Sequence, residues 1–462
     1  MTATAFIGRR RELKVLNDAY AAKESAFIPV YGRRRIGKSE LIHKFMSDKP
    51  GLYLVGKQAP RMFQIREFLR EAARQLDEPL LERATSDSWK DALTTVADRW
   101  PVGQKLILAL DEFQWMANSS PELPSVLQEL WDRSWRQRGN VLLILCGSFI
   151  GFMEREVLGR GSPLFGRRTA QIHLRPFSYK EAAEFHPAYS LADRARAYFI
   201  CGGIPLYLQL FKTDRSVEMN IAATLLDEFG PLHQEPDFLL REELREVGNF
   251  YAVLLAIAAG ALTNSQISAQ TGIGDRSLTY YLRQLASLGY ISRRHSLTSD
   301  RPNAKRVRYA LDDPLLRFWF RFVFPDLSFL LQAGPERGLR DRIHPQLDAY
   351  FGQCFERLCR EALPVLYERE GVLSGYQIGE YWDKTCQIDV VGLRQDGVID
   401  LGECRWGQTR SVSALLTELE AKIARYPNKR NATILPRLFT RQPLPSPADG
   451  AVRCHYLEDL YA

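Results

Sequence analysis

Residues Gly32 to Ser39 read GRRRIGKS, a complete G-x-x-x-x-G-K-[ST] pattern, and its flanks fix what must surround it. The apolar stretch AFIPVYG (26–32) precedes it, and ELIHKFM (40–46), with apolar residues at helical spacing, follows. A strand entering a glycine-rich turn that opens a helix aims several backbone N–H groups at one point, and the helix dipole adds to that field. The pattern predicts a nucleotide cradled by Gly32, Arg33, Arg34, Arg35, Ile36, Gly37, Lys38, Ser39 and Glu40. Lys38 is expected at the β- and γ-phosphates and the Ser39 hydroxyl in the shell of a Mg²⁺ ion.

A chain of 462 residues is too long for one ordinary core, so about two to four domains are expected. The longest apolar stretch, 251–262, is too short and too alanine-rich to span a bilayer, and the start MTATAFIGRRR lacks the apolar core of a signal peptide. The seven cysteines form no C-x-x-C pair and have no histidine at zinc spacing. They read as reduced thiols of a cytosolic protein without a membrane role. Net charge is +7, and the arginines cluster at 9–11, 33–35, 167–168 and 293–308, which suits phosphate contact.

KLILALDEFQW (105–115) places two carboxylates after five consecutive apolar residues, at the end of a buried parallel strand. Ligands of open α/β sheets bind at that end. Asp111 is therefore expected to hold Mg²⁺ through its water shell, and Glu112 to polarise the attacking water, a pairing that fits an ATPase better than a GTPase. A third apolar strand (141–153) carries Cys146-Gly147-Ser148, where Ser148 either senses the γ-phosphate or is an ordinary turn residue. Arg167 and Arg168 either stabilise transferred-phosphate charge, in cis or from a second subunit, or are solvated surface arginines.

FIGRRREL (6–13), the phosphate loop, LALDEFQ, CGS and GGIPLYL (202–208) occur in order, and together they resemble the archaeal-type ATPase family over residues 1–230. These are AAA-related P-loop ATPases close to the signal-transducing branch. The resemblance implies that Gly8 and Arg9 lie near the nucleotide base, and that Gly203 and Pro205 belong to a lid reporting nucleotide state.

Residues 246–311 predict three helices and a hairpin, the order of a winged helix-turn-helix with Gly272 and Gly274 in its turn. Leu278, Leu282 and Leu285 form one buried stripe of the third helix. Arg276 and Arg283 are left for a DNA duplex, with Arg293, Arg294, Arg301, Lys305, Arg306 and Arg308 as a basic wing. Six phosphate contacts would give log K against log[salt] a slope of about −5. The alternative is a structural module whose charges face water. The following aromatic segment, 312–328, suits an interdomain core better than base stacking.

QIDVVGLRQDGVIDLGECRWG (387–407) predicts two strands around 395–397. A three-residue loop there pairs 394 with 398 and sets Asp389 opposite Glu403 on one face, with Arg405 beside them; a two-residue loop would separate them. This stretch resembles the PD-(D/E)xK nuclease core. The resemblance implies that Glu356, on a preceding helix, is the helix acid, and that Asp389 and Glu403 are metal ligands. The chain departs from it in reading GECRW where lysine is expected. Either Arg405 fills that place, or Lys422 on the next helix does, or the domain only binds; an ordinary hairpin with surface charges is the remaining reading. Arginine is a poor copy of a compact ammonium.

The expected fold is α/β: a P-loop ATPase core (1–175), a helical lid (176–245), a winged helix (246–311) and a restriction-endonuclease-like α/β domain (312–462). The expected ligands are ATP, Mg²⁺ and DNA. The contrasting expectation is an ATP-controlled switch acting on a protein partner or a second copy, with a non-cleaving C-terminal domain.

Overall fold

The structure, a computed structural model, describes residues 6–83, 86–298, 307–408, 411–444 and 452–462. Two compact units divide the chain, Met1–Phe177 with Ile204–Leu206, and Ser178–Gly203 with Tyr207–Ala462.

The first unit is built on five parallel strands, β1 (Ala26–Tyr31), β2 (Gly51–Val55), β3 (Leu106–Asp111), β4 (Val141–Gly147) and β5 (Ile172–His173), in the order β2-β3-β4-β1-β5. Unbroken apolar runs suit strands covered on both faces, and every residue of β1, β3 and β4 is buried. Phe68, Trp89, Trp131 and Trp135 belong to the core of this sheet. The phosphate loop leaves β1 and enters the helix Lys38–Met46, while β3 delivers Asp111 at the same edge of the sheet.

Within the second unit the helices Val247–Ala258, Asn264–Thr271 and Asp275–Ser287 precede an antiparallel pair, β6 (Ile291–His295) and β7 (Val307–Leu311). Gly272, at φ 71°, ends the second helix in a left-handed conformation that glycine adopts at low cost. Leu278, Leu282 and Leu285 are buried, whereas Arg276 and Arg283 are exposed. The aromatic segment is interior: Phe318, Trp319, Phe320 and Phe322 are all buried, and the Trp319 indole donates to the His233 carbonyl at 2.7 Å.

The long helix His344–Arg369 precedes a five-stranded sheet of β8 (Tyr376–Trp382), β9 (Gln387–Arg394), β10 (Val398–Arg405), β11 (Thr433–Thr440) and β12 (Arg453–Tyr456). Their order is β12-β11-β10-β9-β8, antiparallel from β8 to β10 and parallel from β10 to β12. The helix Val412–Ile423 connects β10 to β11. The β9–β10 loop is three residues long with Gly397 at φ 83°, and Ile399 faces Leu393 while Gly402 faces Val390. One step further along that register sets Glu403 against Asp389.

Arg294 and Arg308 are taken up inside the chain. Arg294 pairs with Glu380 of β8 at 3.0 Å and with Asp312 at 3.2 Å. Arg308 lies over the Trp382 ring at 4.6 Å and donates to Gln387 at 3.4 Å. Just past β6, the Leu297 amide donates to the Glu380 carbonyl at 2.8 Å, and the Trp382 amide donates to the Ser296 hydroxyl at 2.9 Å. The hairpin thus runs onto the edge of the C-terminal sheet, which covers polar backbone that an edge strand would otherwise expose. Of the described arginines in the expected basic wing, Arg293 is exposed, whereas Arg294 and Arg308 are engaged within the chain. Arg301, Lys305 and Arg306 lie outside the described residues.

Candidate functional site

The Lys38 side chain hydrogen-bonds carbonyls of the phosphate loop. Lys38 is buried, and its ammonium donates to the carbonyls of Gly32 at 3.0 Å and Arg33 at 2.9 Å. Burial pushes the Lys38 ammonium below its ordinary pKa, against the pull of Glu112 and Asp111 among its neighbours. A β-carbon on Gly32 would stand 2.5 Å from the Leu174 carbonyl oxygen, so the turn needs glycine for close approach. Arg35 and Gly37, at φ 65° and 88°, complete the turn, and Glu40 sits in the first turn of the following helix.

Gly8 and Arg9 brace that loop from outside. The Arg9 guanidinium donates to the Ile36 carbonyl at 3.2 Å and stacks over Phe177 at 4.0 Å. Gly8, at φ 66°, leaves no room for a side chain, because its β-carbon would meet Phe177 at 2.8 Å. Pro205 lies on the loop's other flank, 3.6 Å from where a Gly37 β-carbon would be.

At the end of β3 the Ser39 hydroxyl donates to Asp111 Oδ2 at 2.6 Å, and the Tyr53 hydroxyl donates to the same oxygen. Burial pushes the Asp111 carboxyl up, but hydrogen bonds from Cys146, Ser39 and Tyr53 outweigh it and leave the group below the ordinary carboxylate range. Asp111 is therefore ionised at neutral pH. Glu112 occupies the left-handed region at φ 49°, an unusual conformation for a residue with a side chain. The Ser148 hydroxyl, after β4, donates to Glu112 Oε2 at 2.8 Å, and the Gln114 amide donates to that oxygen too. Ser148 accordingly meets Glu112 as well as closing a strand.

Arg167 is engaged elsewhere: its guanidinium makes a two-pronged ion pair with Asp132, at 2.9 and 2.7 Å, and donates to the Pro163 carbonyl at 2.7 Å. Of the two alternatives for Arg167, that pairing favours the surface arginine. Arg168 is exposed.

The C-terminal carboxylates also converge. The Cys404 amide donates to Asp389 Oδ2 at 3.1 Å, and Glu403 is buried beside it. Both Glu403 oxygens are ion-paired, Oε1 with Arg405 at 2.7 Å and Oε2 with Lys422 at 2.6 Å. Glu418 bridges the same two cations, at 2.5 and 3.1 Å. Burial, reinforced by the Asp389 charge, pushes Glu403 up to about 7, against the ion pairs. Burial and the Asp389 charge likewise push Glu356 up to about 8. Arg360 donates to the Asp389 carbonyl and approaches Glu380 at 3.7 Å. Among the described residues no group of three or more His, Cys, Asp or Glu side chains is arranged to hold a metal ion.

Sequence reasoning missed Tyr53, Gln114, Arg360 and Glu380. Gln114 stands two residues after Glu112 and carried a local signal. Tyr53 did not, because only the β2–β3 pairing brings it to Asp111.

Residues 6–211 match a family described as an ATPase domain predominantly from Archaea, and residues 319–421 match one described as archaeal and bacterial proteins of unknown function. An uncharacterized protein of Methanocaldococcus jannaschii, MJECL04, is 30% identical over 394 residues, spanning 85% of each chain. The chain belongs to the archaeal-type ATPase family. A 44-residue segment is also 41% identical to an ATP-binding protein of the same organism, MJ0423, covering 10% of this chain and 75% of that one. Among solved structures, the Walker-type ATPase PABY2304 of Pyrococcus abyssi overlays at a TM-score of 0.49 with 18% identity, covering 68% of this archaeal-type ATPase and 96% of that chain. The ORC2 protein of Aeropyrum pernix, in its ADPNP-ADP complexes, overlays at 0.41 with 15% identity, covering 70% and 94%. Among the described residues no helix of this ATPase is long and apolar enough to cross a membrane.

Proposed function

We propose that this chain binds and hydrolyses ATP at the phosphate loop and uses nucleotide state to control DNA binding by its second unit. The observation that carries the reading is the 2.6 Å hydrogen bond between Ser39 and Asp111, which brings a hydroxyl and an ionised carboxylate together at the loop's end. Those two oxygens fit Mg²⁺, a hard cation that binds through oxygen ligands and water. A bound Mg²⁺ would neutralise charge on the β- and γ-phosphates.

The chain's own groups do the rest. The amides of 32–40 cradle the phosphates, and Lys38 exchanges its loop carbonyls for phosphate oxygens. Glu112 takes a proton from the attacking water as its oxygen bonds to the γ-phosphorus and the bond to the β-phosphate oxygen breaks, yielding ADP and phosphate. Gly8 and Arg9 set the wall on the base side of the loop. Ile204–Leu206 belongs to the first unit while the residues on either side belong to the second, which supports a lid role for Pro205. Arg168 remains a candidate for charge stabilisation.

Residues 176–245 read as a lid, 246–311 as a winged helix and 312–462 as a PD-(D/E)xK-like domain, all within the second unit except 176–177 and 204–206. DNA would meet the exposed Arg276 and Arg283 and the Arg293 side of the hairpin. At Asp389 and Glu403 the residues as arranged do not fit a metal, since cations take both Glu403 oxygens. We therefore derive no metal-dependent cleavage step there. The same observation favours a second reading, in which the C-terminal domain binds without cutting and the ATPase switch acts through a partner or a second copy.

The test is phosphate release by wild type, Lys38→Ala and Glu112→Gln. The expected result is loss of ATP binding in the first variant and retention of unhydrolysed ATP in the second. Equal turnover by all three rejects the roles. Incubation with plasmid in Mg²⁺ or Mn²⁺, beside Asp389→Ala, separates the readings: nicking lost in that variant establishes a nuclease, and no nicking supports the non-cleaving domain.

A further inference from the structure

Gln114, two residues after Glu112 at the start of the helix Phe113–Ser119, is only 2% exposed. Its amide nitrogen donates to Glu112 Oε2 and approaches the Ser148 hydroxyl at 3.3 Å, while Ser148 itself donates to that same Glu112 oxygen. One carboxylate oxygen is thus gripped by two donors from two elements, the helix after β3 and the turn after β4. The other end of the amide, Oε1, is buried and takes no hydrogen bond among the described residues. An amide kept for core satisfaction would have both ends paired, because an unpaired buried acceptor costs about 1–3 kcal/mol. Turning the amide over would set its oxygen against the carboxylate. The side chain is therefore oriented by Glu112, at the expense of its own satisfaction.

Glu112 needs such a grip. Its backbone sits in the left-handed region at φ 49°, and its side chain leaves from the first position after a buried strand. A glutamate has three rotatable side-chain bonds, and a base that must meet one water gains most from having them fixed in advance.

We propose that Gln114 is the positioning residue for Glu112, holding its carboxylate against Ser148 so that one oxygen is fixed and the other is left to meet the attacking water. Gln114 does not itself touch the phosphates. The inference rests on the assignment of Glu112 as the base made above.

The test is Gln114→Met, which keeps length and apolar bulk but removes the donor, compared with wild type, Glu112→Gln and the double variant. Single-turnover hydrolysis with excess protein, the equilibrium affinity for ATP and the melting temperature are measured for each. The proposal expects hydrolysis about tenfold slower in Gln114→Met, corresponding to about 1.4 kcal/mol. Affinity should stay within about twofold of wild type, with a wild-type melting temperature. In the Glu112→Gln background the same substitution should add less than about twofold, because the group it positions is gone. A full-rate Gln114→Met, or a tenfold loss that multiplies undiminished onto Glu112→Gln, overturns the proposal while leaving the ATPase assignment standing. Wild-type turnover by Glu112→Gln overturns the assignment of the base, and the role of Gln114 with it.

Discussion

Asp111 and Glu112 are adjacent in sequence yet occupy different environments, and under the proposed function that difference suits them to different tasks. Asp111 ends a buried strand and receives several hydrogen bonds, so it is held as an anion. Glu112 turns out of the strand through a left-handed backbone and meets Ser148 and Gln114 instead. The sequence made Asp111 a candidate metal ligand because it follows five apolar residues in a chain that also carries the phosphate loop. It did not reveal Tyr53, which is paired with Asp111 only through the order of strands.

A second residue-scale case lies in the C-terminal sheet, at His455. Burial, with Arg437 beside it, pushes the imidazole down to about 4, and Arg437 donates to its Nε2 at 2.8 Å. The unfolded chain binds that proton near pH 6.5, the folded one only near pH 4. Stability should therefore be lost as pH falls from about 6.5 through 4, by on the order of 3 kcal/mol. Urea midpoints measured across that range should flatten in His455→Gln; an unchanged slope contradicts the account of the imidazole.

The hairpin of β6 and β7 shows most plainly what periodicity and composition leave out. Its arginine density suggests a surface for phosphates, but charge counts do not say which side chains find carboxylates within the chain. Arg294 finds Glu380 and Asp312, and Arg308 lies on Trp382. By contrast, the β9–β10 hairpin was legible up to its loop length: the sequence left two or three residues open, and the three-residue loop fixes the register and with it the face of Asp389 and Glu403. Two predictions follow from the hairpin's docking. Arg294→Ala should destabilise the second unit by about 1–3 kcal/mol, read as a shift in its denaturation midpoint, because a partly buried Glu380 loses a partner. Duplex DNA binding should weaken with salt, and Arg276→Ala should lower the slope of log K against log[salt] by about one while Arg294→Ala leaves it unchanged. A slope lowered equally by Arg294→Ala would contradict the engagement of Arg294 within the chain.

Across the whole molecule, the chain joins a parallel-sheet ATPase unit to a second unit that combines helices, a hairpin and a mixed sheet. The ATPase unit was the more legible, since its motifs are local strings whose chemistry needs those residues at those spacings. The return of Ile204–Leu206 to the first unit was not legible, because no periodicity marks a three-residue crossing and the sequence reads 176–245 as one lid. The C-terminal site lay between: its carboxylates could be counted onto one face, but the capture of both Glu403 oxygens by Arg405 and Lys422 depends on the helix that follows, whose placement the sequence does not encode locally.

The most direct measurement is calorimetric titration of ATP into the folded protein in magnesium buffer, beside Lys38→Ala. The account predicts one site per chain with saturable heat, weakened about 30- to 150-fold in the variant, the loss expected when a charged phosphate contact worth about 2–3 kcal/mol is removed. Absence of heat in the wild type, or equal affinity in the two proteins, would contradict it.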